Sequence, residues 1–176
     1  MCGIFGQWSR DRRAMPPAQV DAMAKSLVHR GPDDQGVWQP AGRGVVLGNR
    51  RLSIIDIAGG HQPFVSDDGQ VALVQNGEIF NYVELAAELR AQGVQLRTNS
   101  DTEVLLRLYE REGIAFLRRL NGMFAIAIDD AREDAMYLAR DRIGVKPLYW
   151  RDDGREVLFA SELKAMLPVL HARGTQ

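Results

Sequence analysis

Apolar runs alternate along this chain with short charged turns, and the spacing inside each run separates strands from helices. Residues 2–8 are mostly apolar and stop at Ser9-Arg10-Asp11-Arg12-Arg13, the pattern of a buried strand and an exposed turn. After Pro16-Pro17, residues Val20, Met23, Ala24, Leu27 and Val28 fall at i, i+3, i+4, i+7 and i+8, which predicts an amphipathic helix halted near Gly31-Pro32. Residues 45–48 and 52–55 predict strand on either side of Asn49-Arg50-Arg51. Residues 59–63 predict a flexible loop and 71–74 another strand. Asn81 is placed to cap a helix whose stripe is Tyr82, Leu85, Ala86 and Leu89, closed by Gly93. Ser100-Asp101-Thr102-Glu103 has the form of a capping box before Val104, Leu105, Leu108 and Tyr109. Residues 123–128 and 136–139, joined by a polar turn, predict a buried hairpin. Strands at 148–150 and 157–160 and a short helix over 162–167 follow, and 171–176 reads as a tail or linker. Strands at both ends with helices between them predict one α+β layered domain over 1–170.

Composition narrows the function classes. The 176 residues are 45% hydrophobic, and 22 Lys and Arg against 23 Asp and Glu leave a net charge of −1. That balance gives no global attraction to nucleic acid or to an anionic membrane, so local charges must carry polar recognition. The start of the chain lacks the basic-then-apolar pattern of a secretory signal, and no run approaches the ~18 apolar residues of a membrane span. A single cysteine excludes an internal disulfide and a four-cysteine zinc site and suits a reducing compartment. A cytoplasmic protein that needs no metal is the expectation.

That one cysteine is Cys2. Once Met1 is removed, one residue carries both a thiol and a free α-amine, whose pKa values of about 8.5 and about 7.7–8.0 let the amine take the thiol proton without a histidine. A lone buried thiol is the plainer alternative. Arg50 and Arg51 lie in strand pattern and point to opposite faces, so one is solvated while the other enters a site, where it could grip a carboxylate bidentately. Asn76-Gly77 is ordinarily a hairpin turn, but at a strand end leading into a helix it offers a side-chain amide and an unencumbered backbone N–H to a developing oxyanion. Asp101 needs no function beyond the first turn of its helix. His29-Arg30-Gly31-Pro32-Asp33 reads as a structural or gating loop whose Arg30 and Asp33 are free to pair.

Taken together, Cys2-Gly3-Ile4-Phe5-Gly6, His29-Arg30-Gly31-Pro32-Asp33, Arg51-Leu52-Ser53-Ile54-Ile55, Asn76-Gly77-Glu78-Ile79-Phe80-Asn81, Ser100-Asp101-Thr102-Glu103 and Arg140-Asp141-Arg142-Ile143-Gly144-Val145-Lys146-Pro147-Leu148-Tyr149 occur in the order of the class II glutamine amidotransferase domain, in the version found in glutamine-hydrolysing asparagine synthetases. The resemblance runs from Cys2 to the segment 159–165. It implies an N-terminal-nucleophile hydrolase fold, a four-layer αββα sandwich with two antiparallel sheets. It also implies that Cys2 attacks the side-chain amide of L-glutamine, that Asn76 and Gly77 donate to the oxyanion, and that Arg51 clamps the substrate α-carboxylate. Asp101 and Glu78 would face the α-ammonium, and Leu52, Ser53, Ile54 and Ile55 would line the pocket. The joint pattern thereby replaces the turn reading of Asn76-Gly77 and adds a substrate role to Asp101.

A full asparagine synthetase of this kind also carries a Ser-Gly-Gly-x-Asp-Ser loop for ATP pyrophosphate, and this sequence has none. The expectation is a glutaminase domain without a cofactor of its own. ATP and Mg belong to a synthetase domain, in cis or in trans, that would make asparagine from aspartate. A homo-oligomer is compatible with all of this. Two alternatives stand beside it: a glutaminase of the same fold serving another acceptor, and a non-catalytic glutamine-binding or assembly module.

Overall fold

A computed structural model describes residues 1–174. Five strands form one antiparallel sheet in the order β2 (Asp34–Trp38), β3 (Val45–Arg51), β1 (Gly3–Ser9), β9 (Glu156–Ala160) and β8 (Tyr149–Asp152). Four form a second: β4 (Phe64–Val65), β5 (Val71–Ile79), β6 (Gly122–Asp130) and β7 (Ala135–Arg140). Helices α1 (Pro17–Ser26) and α4 (Leu163–Ala172) cover the first sheet, and α2 (Tyr82–Ala91) and α3 (Asp101–Glu112) the second.

Strand alternation explains why four layers form. Along β1, Phe5 points to the helices α1 and α4 while Ile4 points between the sheets. Along β5, Val71, Leu73 and Ile79 pack under α2 and α3 while Ala72 and Val74 face the other sheet. Both faces of both sheets are therefore buried, which is why the strands read as unbroken apolar runs rather than as alternating ones. Helices of 10 residues such as α1 and α2 are marginal alone, so their apolar stripes hold them in place. Each fully buried Leu, Ile or Phe contributes about 1.5–3 kcal/mol, well above any per-residue helix propensity.

Several local expectations change. Residues 52–55 are loop, because β3 ends at Arg51 and the Arg51 side chain draws the carbonyls of Ile55, Asp56 and Ile57 around itself. Conversely, β5 does not stop at Val74 but carries Asn76 and Gly77 in its interior, paired with Ala125 and Phe124 of β6. Asn81 precedes α2 as expected but bonds Arg119 O and Asn121 N instead of its own helix. Ser100 Oγ does cap α3 by accepting from Thr102 N, whereas Glu103 turns to Arg97 and Thr98 rather than back to Ser100. Helix α4 continues through Pro168 to Ala172, past the expected end and into the stretch read as tail, whose Thr175 and Gln176 lie outside the described residues. A 3-10 helix over Gly113–Arg119 and the edge strand β2 carried no periodic signal.

Candidate active site

Cys2 sits one residue before β1, whose Gly3 pairs with Arg50 of β3. Its carbonyl oxygen accepts from Arg30 Nε at 2.9 Å, which fixes the backbone. The half-buried thiol lies 3.7 Å from Leu52 O and opens onto a cavity of about 190 Å³ that Met1 also lines.

The wall opposite is the stretch of β5 that runs on past its short pairing with β4. In an antiparallel pair the residues alternate between those bonded to the neighbouring strand and those facing away. Phe124, the partner of Gly77, spends its N–H and C=O on Asp141, on the far side of β6. Gly77 is therefore a non-hydrogen-bonded position, and its N–H faces out of the sheet with those of Gln75 and Ile79. Gln75 N–H goes to Gln62 Oε1 at 2.7 Å and Ile79 N–H to Asp101 Oδ2 at 3.1 Å. Gly77 N–H, between them, has no partner among the described residues and faces the cavity. A Cβ on Gly77 would sit 2.4 Å from Met123 O, so only glycine keeps the strands at this spacing. The neighbouring Asn76 side chain is buried and reaches Ser161 Oγ at 3.5 Å.

Arg50 and Arg51 divide as strand alternation predicts. Arg50 braces the loop of residues 29–33 through Gly31 O and Pro32 O. Arg51 is buried at the cavity and holds the following loop through Ile55 O, Asp56 O and Ile57 O, three bonds from a group with five N–H donors. Gly60 permits this: a Cβ there would lie 2.1 Å from the guanidinium. Leu52, Ile54 and Ile55 line the cavity. Ser53 does not, a correction to the expected lining, because its N–H is tied to Asp33 Oδ2 at 2.8 Å. Arg30 and Asp33 consequently do not pair with each other. Arg30 holds Cys2 and Glu162, and Asp33 holds the 52–60 loop.

Asp101 and Glu78 complete the charged lining. Asp101 Oδ2 accepts from Gln75 Nε2 and Ile79 N. Gln75 is held by Thr102 Oγ1, Thr102 by Gln62, and Gln62 by Asn49 of the other sheet. Burial pushes the Asp101 carboxyl above the usual aspartate range despite the bonds from Ile79, Gln75 and Thr102, and the Glu78 charge adds to the rise. The sequence signal for this network is faint. Gln75 interrupts an apolar run, but nothing in Gly59-Gly60-His61-Gln62-Pro63, whose composition reads as a flexible loop, marks Gln62 as buried. Met123 and Lys146 also line the cavity without having been expected there. Nine of the ten expected residues therefore line one cavity, Ser53 being the exception.

A family model described as a glutamine amidotransferase domain matches residues 1–175. The chain is 40% identical over 177 residues to the glutamine-hydrolyzing asparagine synthetase 2 of Bacillus subtilis, covering 97% of this chain and 23% of that protein. It is 39% identical over 171 residues to the glutamine-hydrolyzing asparagine synthetase B of Escherichia coli, covering 96% of this chain and 30% of that one. This chain thus spans less than a third of the length of either relative. Among solved structures, it matches the glutamine phosphoribosylpyrophosphate amidotransferase of B. subtilis complexed with ADP and GMP, with a TM-score of 0.74, 27% identity, and coverage of 94% of this chain and 43% of that chain. A structure described as the allosteric regulatory enzyme of purine biosynthesis gives a TM-score of 0.76 at 27% identity, covering 96% of this chain and 43% of that chain. The αββα sandwich with two antiparallel sheets is the N-terminal-nucleophile amidotransferase fold.

Proposed function

This chain belongs to the glutamine amidotransferase domain family, and we propose that it is the glutaminase half of an asparagine synthetase-like amidotransferase, hydrolysing free L-glutamine to glutamate and ammonia. The observation that carries this reading is the unpartnered Gly77 N–H facing the same cavity as the Cys2 thiol, with Arg51 and Asp101 on the remaining wall. Free glutamine is a zwitterion. A site that selects it over a glutamine residue in a protein needs a fixed cation and a fixed anion beside the nucleophile, and Arg51 and Asp101, with Glu78, provide them.

In this mechanism Met1 is removed and the freed α-amine of Cys2 accepts the thiol proton. The thiolate attacks the amide carbon, and Gly77 N–H and the Asn76 side chain donate to the oxyanion. One such donor is worth about 3–4 kcal/mol of barrier in a comparable site. The amine returns its proton to the leaving nitrogen, the carbon–nitrogen bond breaks, and ammonia departs from a glutamyl thioester. Water, deprotonated by the same amine, attacks the thioester through a second oxyanion and releases glutamate and the thiol. Ammonia then passes to an ATP-dependent synthetase domain, in cis or in trans, that makes asparagine from aspartate. The glutaminase half needs no cofactor of its own.

The test pairs intact mass with glutamate release. The expected result is a chain that starts at Cys2 and turns glutamine over, with Cys2→Ala inactive yet still binding glutamine. Turnover by Cys2→Ala at the parent rate would overturn the mechanism, and binding without turnover by the parent would make the chain a glutamine-binding module.

A further inference from the structure

The cavity contains one cation that the proposed mechanism does not use. Lys146 is only 7% exposed, lines the cavity, and has no ion-pair or hydrogen-bond partner for its ammonium among the described residues. Its Nζ is not among the fully enclosed unpartnered side-chain atoms, so the ammonium opens onto the cavity, where it is free to meet a bound anion. The backbone that carries it is braced. Lys146 N–H donates to Asp141 Oδ2 at 3.0 Å and Lys146 C=O accepts from Arg140 Nε at 2.6 Å. Asp141 also takes Val145 N–H, and Arg140 also reaches Gly144 O. Burial resists ionisation of Asp141, but the backbone donors of Lys146, Val145, Phe124 and Gly144 outweigh it and hold the carboxyl below its usual range, so the brace is anionic.

The brace also says which end of a bound amino acid Lys146 meets. The Asp141 oxygen that binds Lys146 N–H is the one that binds Phe124 N–H, and Phe124 is the β6 residue opposite Gly77. Two residues on, Leu148 packs between the sheets, in the layer into which Ala125 of β6 and Val74 of β5 project, and strand alternation sends Asn76 and Met123 to that same side. Lys146 therefore enters on the side of the Asn76-Gly77 donors, whereas Arg51 and Asp101 stand at the end of β3 and the start of α3.

Arg51 and Lys146 balance Glu78 and Asp101 in the lining, and glutamine adds one charge of each sign. The reaction brings a negative charge to the reacting end, first on the oxyanion and finally on the γ-carboxylate of glutamate, while the matching proton sits on the Cys2 α-amine and leaves with ammonia. We propose that Lys146 is the counter-cation for that charge, stabilising the oxyanion and holding the γ-carboxylate of product glutamate, so that the site discriminates glutamate from glutamine at the reacting end. The inference rests on the glutaminase reading.

Lys146→Met tests it, with Lys146→Gln carrying the same test should the Met variant not fold. The expected result is a fall in kcat of about tenfold or more and a rise in the glutamate inhibition constant of about tenfold or more. Glutamine affinity, measured in the Cys2→Ala background, should stay within about twofold, and Lys146→Arg should restore part of both losses. Unchanged kcat, or equal weakening of glutamine and glutamate, would overturn the assignment and leave Lys146 as a brace or an α-carboxylate ligand. A parent chain that neither binds nor turns over glutamine would instead remove the glutaminase reading itself.

Discussion

Arg30 Nε–H donates to the carbonyl oxygen of Cys2 at 2.9 Å, so the loop of residues 29–33 fixes the backbone that carries the nucleophile. The same guanidinium meets Glu162 at 2.9 Å, and that carboxylate also engages His29 and Lys164. Arg30 is not part of the cavity wall. It acts on the reaction by placing Cys2, in keeping with its reading as a structural loop residue.

The first prediction follows from that placement. Arg30→Met leaves the Cys2 carbonyl without its donor and Glu162 without its main buried partner. A nucleophile displaced by a fraction of an ångström loses attack geometry, so kcat should fall about 10- to 100-fold. Glutamine affinity should hold, because the α-carboxylate and α-ammonium contacts lie elsewhere, and stability should drop by about 1–2 kcal/mol. Steady-state kinetics with glutamine binding in the Cys2→Ala background separates the two effects. An increase in the dissociation constant that matched the loss in kcat would show that Arg30 shapes the binding pocket instead.

Gly77 gives a second prediction, because its lack of a side chain and its free N–H serve different ends. A Cβ at this position meets Met123 O at 2.4 Å and Phe124 Cα at 2.7 Å, both backbone atoms of the paired strand. Gly77→Ala must push β5 and β6 apart at the centre of the donor edge, at a cost of about 1–3 kcal/mol. The N–H then misses the oxyanion, and kcat should fall about 100-fold or more. Thermal melting and single-turnover kinetics check both parts, and a variant with parent kcat would remove Gly77 from the oxyanion contact.

What the sequence disclosed about this architecture depends on the range of the interactions involved. The stripe of Val20, Met23 and Ala24 and the run ending at Ile128 were legible because burial on a helix face or on both faces of a strand writes a local period. The loop after Arg51 was not. Ser53-Ile54-Ile55 has the composition of a strand, and the three carbonyls gathered by the Arg51 guanidinium, with Ser53 N–H held by Asp33, make it turn. Asn81 has a capping residue's chemistry, yet its amide is spent on Arg119 and Asn121, nearly forty positions away in the chain. Gln62, Gln75 and Thr102 form a bridge between elements distant in sequence, and no window of local pattern contains it. Cys2, Asn76, Gly77, Arg51 and Asp101 were found because their order resembles a family, and the structure adds what the pattern lacks: which N–H is left free and which residue, Ser53, is turned away.

Asp101 supplies the last prediction. Its carboxyl is pushed above the ordinary value of 3.8 mainly by burial, with Glu78 adding to the rise against the hydrogen bonds from Ile79 and Gln75. An acid whose folded pKa is raised binds more protons in the folded than in the unfolded chain between the two values, so stability falls as pH rises through that window and stays lower above it. The substrate α-ammonium needs the opposite state, an ionised Asp101. Glutamine binding should therefore weaken as pH drops through the raised pKa, giving KM an acid limb at a higher pH than an ordinary aspartate would set. Asp101→Asn keeps an acceptor for Ile79 N–H and removes the buried charge. It should raise the melting temperature at neutral pH, weaken glutamine binding by about tenfold or more, and flatten the acid limb. Melting temperature and glutamine KM measured from pH 4 to 8 on both proteins decide it. If the acid limb survives unchanged in Asp101→Asn, another group, Glu78 being the nearest candidate in the cavity, holds the substrate ammonium.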